Sequence, residues 1–208
     1  MYVEYWFRGS ATSDEGQMVS IVSNNIEVVS ITKGQVIECA YNSTQGQRFS
    51  AKFSRFEDKL PSAPWMHVMC GVSIDGTLTG TIKADKDIYN ETIKVPGKGV
   101  GQFKISPGKS EVIIGNNKDG KKGYSGMKVR EFRLWGKEAN LNNLTLWRYR
   151  QVDPKVASAS SLLTYFRFAE GDLNIYDQAS DTFATFSSEL SLIRDSDLLV
   201  CPIGTFPS

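Results

Sequence analysis

Strand-and-turn punctuation constrains this chain more than any other feature. Aromatic and β-branched runs recur along it, cut by Gly, Asn, Asp and Pro every roughly 8–12 residues, the spacing of a β-sandwich. The clearest run is Trp65-Met66-His67-Val68-Met69-Cys70-Gly71-Val72-Ser73-Ile74, followed by Asp75-Gly76. Successive side chains of a strand point to opposite faces. Met66, Val68, Cys70, Val72 and Ile74 therefore share a core face. Trp65, His67 and Met69 point the other way, onto a face that is partly wet or covered by loops. Asp-Gly between two such runs signals a hairpin. Strands are expected at 3–8, 18–23, 26–32, 36–41, 49–53, 66–74, 77–83, 101–105, 111–114, 127–134 and 162–168. In the 127–134 run, the step of three from Val129 to Phe132 breaks alternation and predicts a β-bulge, or two faces that are both partly buried.

One short helix is expected at 140–150, capped by Asn140, with Leu141, Leu144 and Trp147 at helical spacing. The remainder reads as one all-β domain over residues 1–194, followed by a linker at 195–208. A hydrophobic content of 40% over 208 residues is enough for a single large core. The net charge of +1 gives no global field for nucleic acid or an anionic membrane. No run approaches the roughly 20 apolar residues of a membrane span. Met1 leads straight into a strand-like run with no signal peptide visible, so a mature form or a piece of a longer protein is expected.

Several segments together resemble the laminin-G-like and pentraxin-like modules of the concanavalin A-like superfamily. They are Trp65-Met66-His67-Val68, the Asp75-Gly76 hairpin, Val112-Ile113-Ile114-Gly115, and Met127-Lys128-Val129-Arg130-Glu131-Phe132-Arg133-Leu134-Trp135. Leu162-Leu163-Thr164-Tyr165-Phe166-Arg167-Phe168-Ala169-Glu170-Gly171 and Asp177-Gln178-Ala179-Ser180 extend the likeness to about residue 180. No single motif is specific; their order and spacing carry the resemblance. It implies a two-sheet antiparallel jelly roll that acts as a binding or assembly module.

The resemblance also implies a place to look for calcium. Pentraxin-like modules supply oxygens from an Asp-Asn pair before a strand and from an acidic run after an Ile-Gly strand end. Asn24-Asn25 precede Ile26 here, and Asn116-Asn117-Lys118-Asp119 follow Gly115, so Asn24, Asn25, Asn117 and Asp119 occupy the matching positions. Affinity for Ca²⁺ rises with the number of charged ligands. With one carboxylate and a neighbouring ammonium the expected site is weak or absent. The alternative is that these residues simply form turns.

Other chemistry has thin support. The superfamily also contains glycosidases, which need two carboxylates on one cleft face. The nearest pair is Glu170-Gly171-Asp172, where the glycine favours a turn that makes the side chains diverge. His67 is the only histidine, so it would have to serve any Ser or Cys triad. A packed or hydrogen-bonded strand histidine is the competing reading. Glycan recognition would use an exposed aromatic platform, for which Trp65 and Tyr124 are the candidates beside loops. Trp6, Trp135 and Trp147 fall in or near the core by pattern.

The final Cys201-Pro202-Ile203-Gly204-Thr205-Phe206 resembles the opening of furin-like cysteine-rich repeats. That likeness implies that Cys201 pairs with a cysteine outside the chain. Cys39 and Cys70 then pair with each other, if their strands are neighbours, or remain two buried thiols. Sequons at Asn42, Asn90 and Asn143 mark surface sites if the protein is secreted. The expected function is therefore a non-enzymatic extracellular recognition or adhesion module that binds a glycan or a protein. The alternatives are a self-assembling block of an extracellular filament or coat and, as a minor one, a glycoside hydrolase.

Overall fold

The computed structural model describes residues 1–8, 16–24, 26–33, 36–43, 46–53, 65–73, 76–84, 87–94, 110–117, 119, 121, 123, 128–136, 148, 152, 161–168, 176–180 and 182–183. Among them all regular structure is strand. The elements are β1 (Tyr2–Arg8), β2 (Gly16–Ser23), β3 (Ile26–Lys33), β4 (Ile37–Asn42), β5 (Arg48–Phe53), β6 (Met66–Val72), β7 (Thr77–Ala84), β8 (Asp87–Lys94), β9 (Ser110–Ile114), β10 (Lys128–Trp135), β11 (Leu162–Phe166), β12 (Tyr176–Asp177) and β13 (Thr182–Phe183). Of the expected helix only Arg148 is described, as a turn, and the 101–105 strand lies outside the described residues.

Two antiparallel sheets form the sandwich. One has six strands in the order β11-β10-β1-β6-β7-β8, the other five in the order β5-β4-β3-β2-β9. β12 and β13 make a small separate pair. The β6–β7 hairpin turns at Gly76, whose φ of 82° lies in the left-handed region that glycine adopts without a Cβ clash.

Alternation places the core. Val3, Tyr5 and Phe7 of β1 and Met66, Val68, Cys70 and Val72 of β6 meet Val19, Ile21, Val29, Ile31, Cys39 and Tyr41 of the other sheet. Cys39 and Cys70 face each other across the layers with Cα atoms 6.0 Å apart, joined as a disulfide. The Tyr41 hydroxyl donates to the Cys70 carbonyl at 3.3 Å, a second tie between the sheets. Gly80, the register partner of Cys70, leaves room for the Phe53 ring.

The bulge in β10 is present at Glu131. Glu4 pairs Arg133 and Trp6 pairs Arg130, so Glu131 and Phe132 together oppose Tyr5. Glu131 absorbs the extra residue with a φ of 52°. The step keeps Val129, Phe132 and Leu134 on the core side and sends Arg130, Arg133 and Trp135 to the outer face.

Candidate functional site

The outer face of the six-stranded sheet holds most of the chemistry. Register gives its rows. Lys128 pairs Arg8 in the first row. Arg130, Trp6, His67 and Lys83 form the second. Arg133, Glu4, Met69 and Thr81 form the third, and Trp135, Tyr2, Gly71 and Thr79 the fourth. The third and fourth rows are buried where Tyr2, Met69 and Trp135 pack with Val152, Leu162 and Tyr165. Gly71 is needed there because the Tyr2 ring lies across it, and a Cβ would overlap that ring.

Glu4 is the hub, fully buried. Its Oε1 accepts from Arg133 Nη1 and from Trp135 Nε1, each at 3.0 Å. Its Oε2 lies 3.1 Å from His67 Nε2. Burial alone raises a carboxyl pKa, but the His67 hydrogen bond and the Arg133 charge outweigh it and hold Glu4 at about 2. Glu4 is therefore a carboxylate, and His67 Nε2 must carry the proton and donate. Burial depresses the His67 pKa despite the neighbouring carboxylate, leaving the imidazole neutral at pH 7. Arg133 stays charged: burial opposes this, and the carboxylate of Glu4 overrides it. Glu131 Oε2 accepts from Arg133 Nη2 and the Tyr165 hydroxyl, each at 2.6 Å. Glu4 and Arg133, 129 positions apart in the sequence, are brought together by the pairing of β1 with β10.

Apart from the buried His67, the first two rows are half-buried, and they form a cation–aromatic ladder. The Arg130 guanidinium lies 4.3 Å from the Trp65 ring centroid and 5.6 Å from that of Trp6. Trp6 meets His67 edge-on, with ring centroids 5.2 Å apart. With Arg8, Lys83 and Lys128 on adjacent positions, this end combines flat apolar faces with N–H donors. On the five-stranded sheet the corresponding row is the small, buried Ser20, Ser30 and Ala40, and Glu38 and Arg48 pair with each other at 3.5 Å.

The remaining expected site residues are scattered. Asn24 sits beyond Ser23, which pairs with Ser110, while Asn117 follows Gly115, whose N–H donates to the Met18 carbonyl at 2.7 Å. The two loops thus lie at opposite ends of β2, about 17 Å or more apart at about 3.4 Å per residue. Ca²⁺ takes oxygens at about 2.3–2.6 Å, so Asn24 and Asn117 cannot ligate one ion together. Asn24, with a φ of 52°, shapes a turn. Asn117 Oδ1 is occupied by the Lys121 N–H at 2.9 Å, and Asp119 is exposed nearby. Among the described residues no group of three or more His, Cys, Asp or Glu side chains gathers as a metal would need. Asn42 is half-buried in β4, its Nδ2 donating to the Glu27 carbonyl at 2.7 Å. The backbone of Asn90 lies in β8. Asn25, Tyr124, Asn143, Glu170, Asp172 and Cys201 lie outside the described residues.

No protein-family model and no curated protein matches the sequence. Solved structures do match. The bacteriophage CBA120 tailspike protein 2 enzymatically active domain superposes with a TM-score of 0.53 at 10% identity, over 79% of this chain and 26% of that one. The botulinum neurotoxin serotype D ligand binding domain in complex with N-acetylneuraminic acid gives 0.51 at 16% identity, over 72% and 36%. Domains LG4-5 of the mouse laminin alpha1 chain give 0.47 at 15% identity, over 64% and 34%. At such identities the likeness is one of fold, and the chain spans about a third or less of each structure's length. The fold is a two-sheet antiparallel jelly-roll sandwich, and it is the fold alone that the chain shares with these structures. No helix among the described residues is long and apolar enough to cross a membrane.

Proposed function

We propose that this domain is a non-enzymatic extracellular recognition module that binds a glycan through the ladder end of its six-stranded sheet. The observation that carries this reading is the contact of the Arg130 guanidinium with both the Trp65 and the Trp6 rings on an outer sheet face. Sugar rings present apolar C–H faces to an indole, and their hydroxyls accept from guanidinium and ammonium groups. His67 is committed to Glu4, which leaves it unsuited to activating a nucleophile. The cross-sheet Cys39–Cys70 pair supports an oxidising compartment. In this reading the sequons at Asn42, Asn90 and Asn143 carry glycans, and residues 195–208 open a cysteine-rich repeat in which Cys201 pairs outside the domain.

The experiment is a glycan array probed with protein secreted from a eukaryotic host, run with calcium and with chelator. Selective binding to one sugar class, equal in both conditions, supports the reading. A blank array in both overturns it and favours a protein-binding or self-assembling role.

A further inference from the structure

His67 stands in the middle of the ladder end, yet glycan recognition by Trp65, Trp6 and Arg130 does not by itself call for an imidazole there. On β6 it shares the outer face with Trp65 and Met69, two residues to either side. Across the sheet its register partners are Trp6 of β1 and Lys83 of β7. It is 1% exposed, so its ring cannot itself meet a ligand. Its Nε2–H donates to Glu4 at 3.1 Å, and Glu4 is held in turn by Arg133 and Trp135 at 3.0 Å each. The place and the plane of the imidazole are thereby fixed by the buried network.

Trp6 takes its orientation from two sides. Its Nε1–H donates to the Arg148 carbonyl at 3.1 Å, which anchors one edge of the indole. The torsion that tilts an aromatic ring about its Cβ–Cγ bond has a broad minimum, so one hydrogen bond at an edge leaves that tilt open. The His67 ring closes it. The two rings meet edge-on, centroids 5.2 Å apart and planes at 61°, a geometry that aromatic pairs favour. On the side away from His67, Trp6 carries the Arg130 guanidinium at 5.6 Å, and Trp65 meets the same guanidinium at 4.3 Å. The tilt of Trp6 therefore sets where the Arg130 donors aim. A recognition group works only when held within about 10–20° of its productive direction.

We propose that His67 is a positioning residue for recognition: its ring edge, held by Glu4, fixes the tilt of Trp6 and through it the aim of Arg130. The role rests on the glycan reading of the ladder end. It is one of shape, with no proton transferred.

Two variants separate the ring from its donor. His67→Gln keeps an N–H toward Glu4 and removes the ring. His67→Phe keeps a ring beside Trp6 and removes the donor, leaving Glu4 one partner short. The motion of the six-membered ring of Trp6, assigned through Trp6→Phe, is read by carbon-13 relaxation at neutral pH. Its order parameter should be about 0.85 in the wild type and in His67→Phe, and below about 0.6 in His67→Gln. Affinity for the sugar class selected on the array should fall at least about tenfold in His67→Gln and stay within about threefold of the wild type in His67→Phe. The melting temperature should run the other way, lower in His67→Phe, where a buried acceptor has lost its donor, than in His67→Gln. Affinity that follows the melting temperature instead of the ring order would mark a merely structural histidine and overturn the proposal. An ordered Trp6 ring in His67→Gln overturns it whatever the array shows. If neither variant folds, the wild type decides: the chain's one histidine should show cross-relaxation between its ring protons and those of a rigid Trp6, and a mobile Trp6 ring overturns the proposal. A blank array overturns the glycan reading instead, and the ring-order comparison still tells whether His67 fixes Trp6.

Discussion

Replacing Glu4 by Gln probes the buried network with almost no change of shape. The carboxylate takes three donors, from Arg133, Trp135 and His67, at 3.0, 3.0 and 3.1 Å. In the amide one oxygen becomes an NH₂ facing a donor, and the Arg133 charge loses one of its carboxylate partners while Glu131 remains. Two lines give the magnitude. The Glu4 pKa falls from 4.5 to about 2, which at about 1.4 kcal/mol per unit corresponds to about 3 kcal/mol. Removing one partner of a buried ion pair typically costs about 3–5 kcal/mol. Glu4→Gln should therefore lose about 3 kcal/mol at pH 7, read as a lower urea midpoint with an unchanged slope. The pH signature is specific. A depressed carboxylate contributes stability that is present above 4.5 and lost as pH falls through about 2, so the variant's stability should be flatter over that interval than the wild type's. A loss below about 1 kcal/mol, the scale of an exposed pair, would refute the claim that Glu4 organises this face.

Gly80→Ala should destabilise by about 1–3 kcal/mol, because its methyl meets the Phe53 ring in a packed core; Phe53→Leu should recover part of the loss in a thermal melt of the double variant. Replacing Cys39 and Cys70 together by Ser should cost about 4 kcal/mol, from a crosslink closing a separation of 31 residues; a denaturation curve that matches the wild type's would show that the pair is not formed in solution. Calcium at about 5 mM should leave the melting temperature unchanged, and a rise reversed by chelator would mean that a site exists outside the described residues.

Much of the fold was legible in the sequence because buried strands carry their own signal. Met66, Val68, Cys70 and Val72 alternate cleanly, and they form a core face. The Val129-to-Phe132 step announced the bulge that the register contains. β8, which ends its sheet among the described residues, was missed because Asp87, Asn90, Glu91 and Lys94 mask the apolar alternation of the strand. The site was less legible. Pairing Asn24 with Asn117 was an inference from a family pattern, and register at the two ends of β2 separates them. The Glu4 network joins three strands at long sequence distances, so no local spacing betrays it. A charged residue flanked by Tyr2, Val3, Tyr5 and Trp6 was the available sign, since such a strand leaves a lone carboxylate nowhere wet to go. Trp65 was singled out as a platform, and its partner Arg130 emerged only once β10 was set in register with β1.

The central claim is recognition at the ladder end of the six-stranded sheet, and the direct measurement is a binding titration of wild type and Trp65→Ala against whichever sugar class the array selects. Trp65 is half-buried beside Arg130, so its truncation leaves both sheets and the Glu4 network in place. Loss of at least about tenfold in affinity, about 1.4 kcal/mol, with an unchanged melting temperature is the expected result. Undiminished affinity in Trp65→Ala would place recognition elsewhere on the domain and contradict the account.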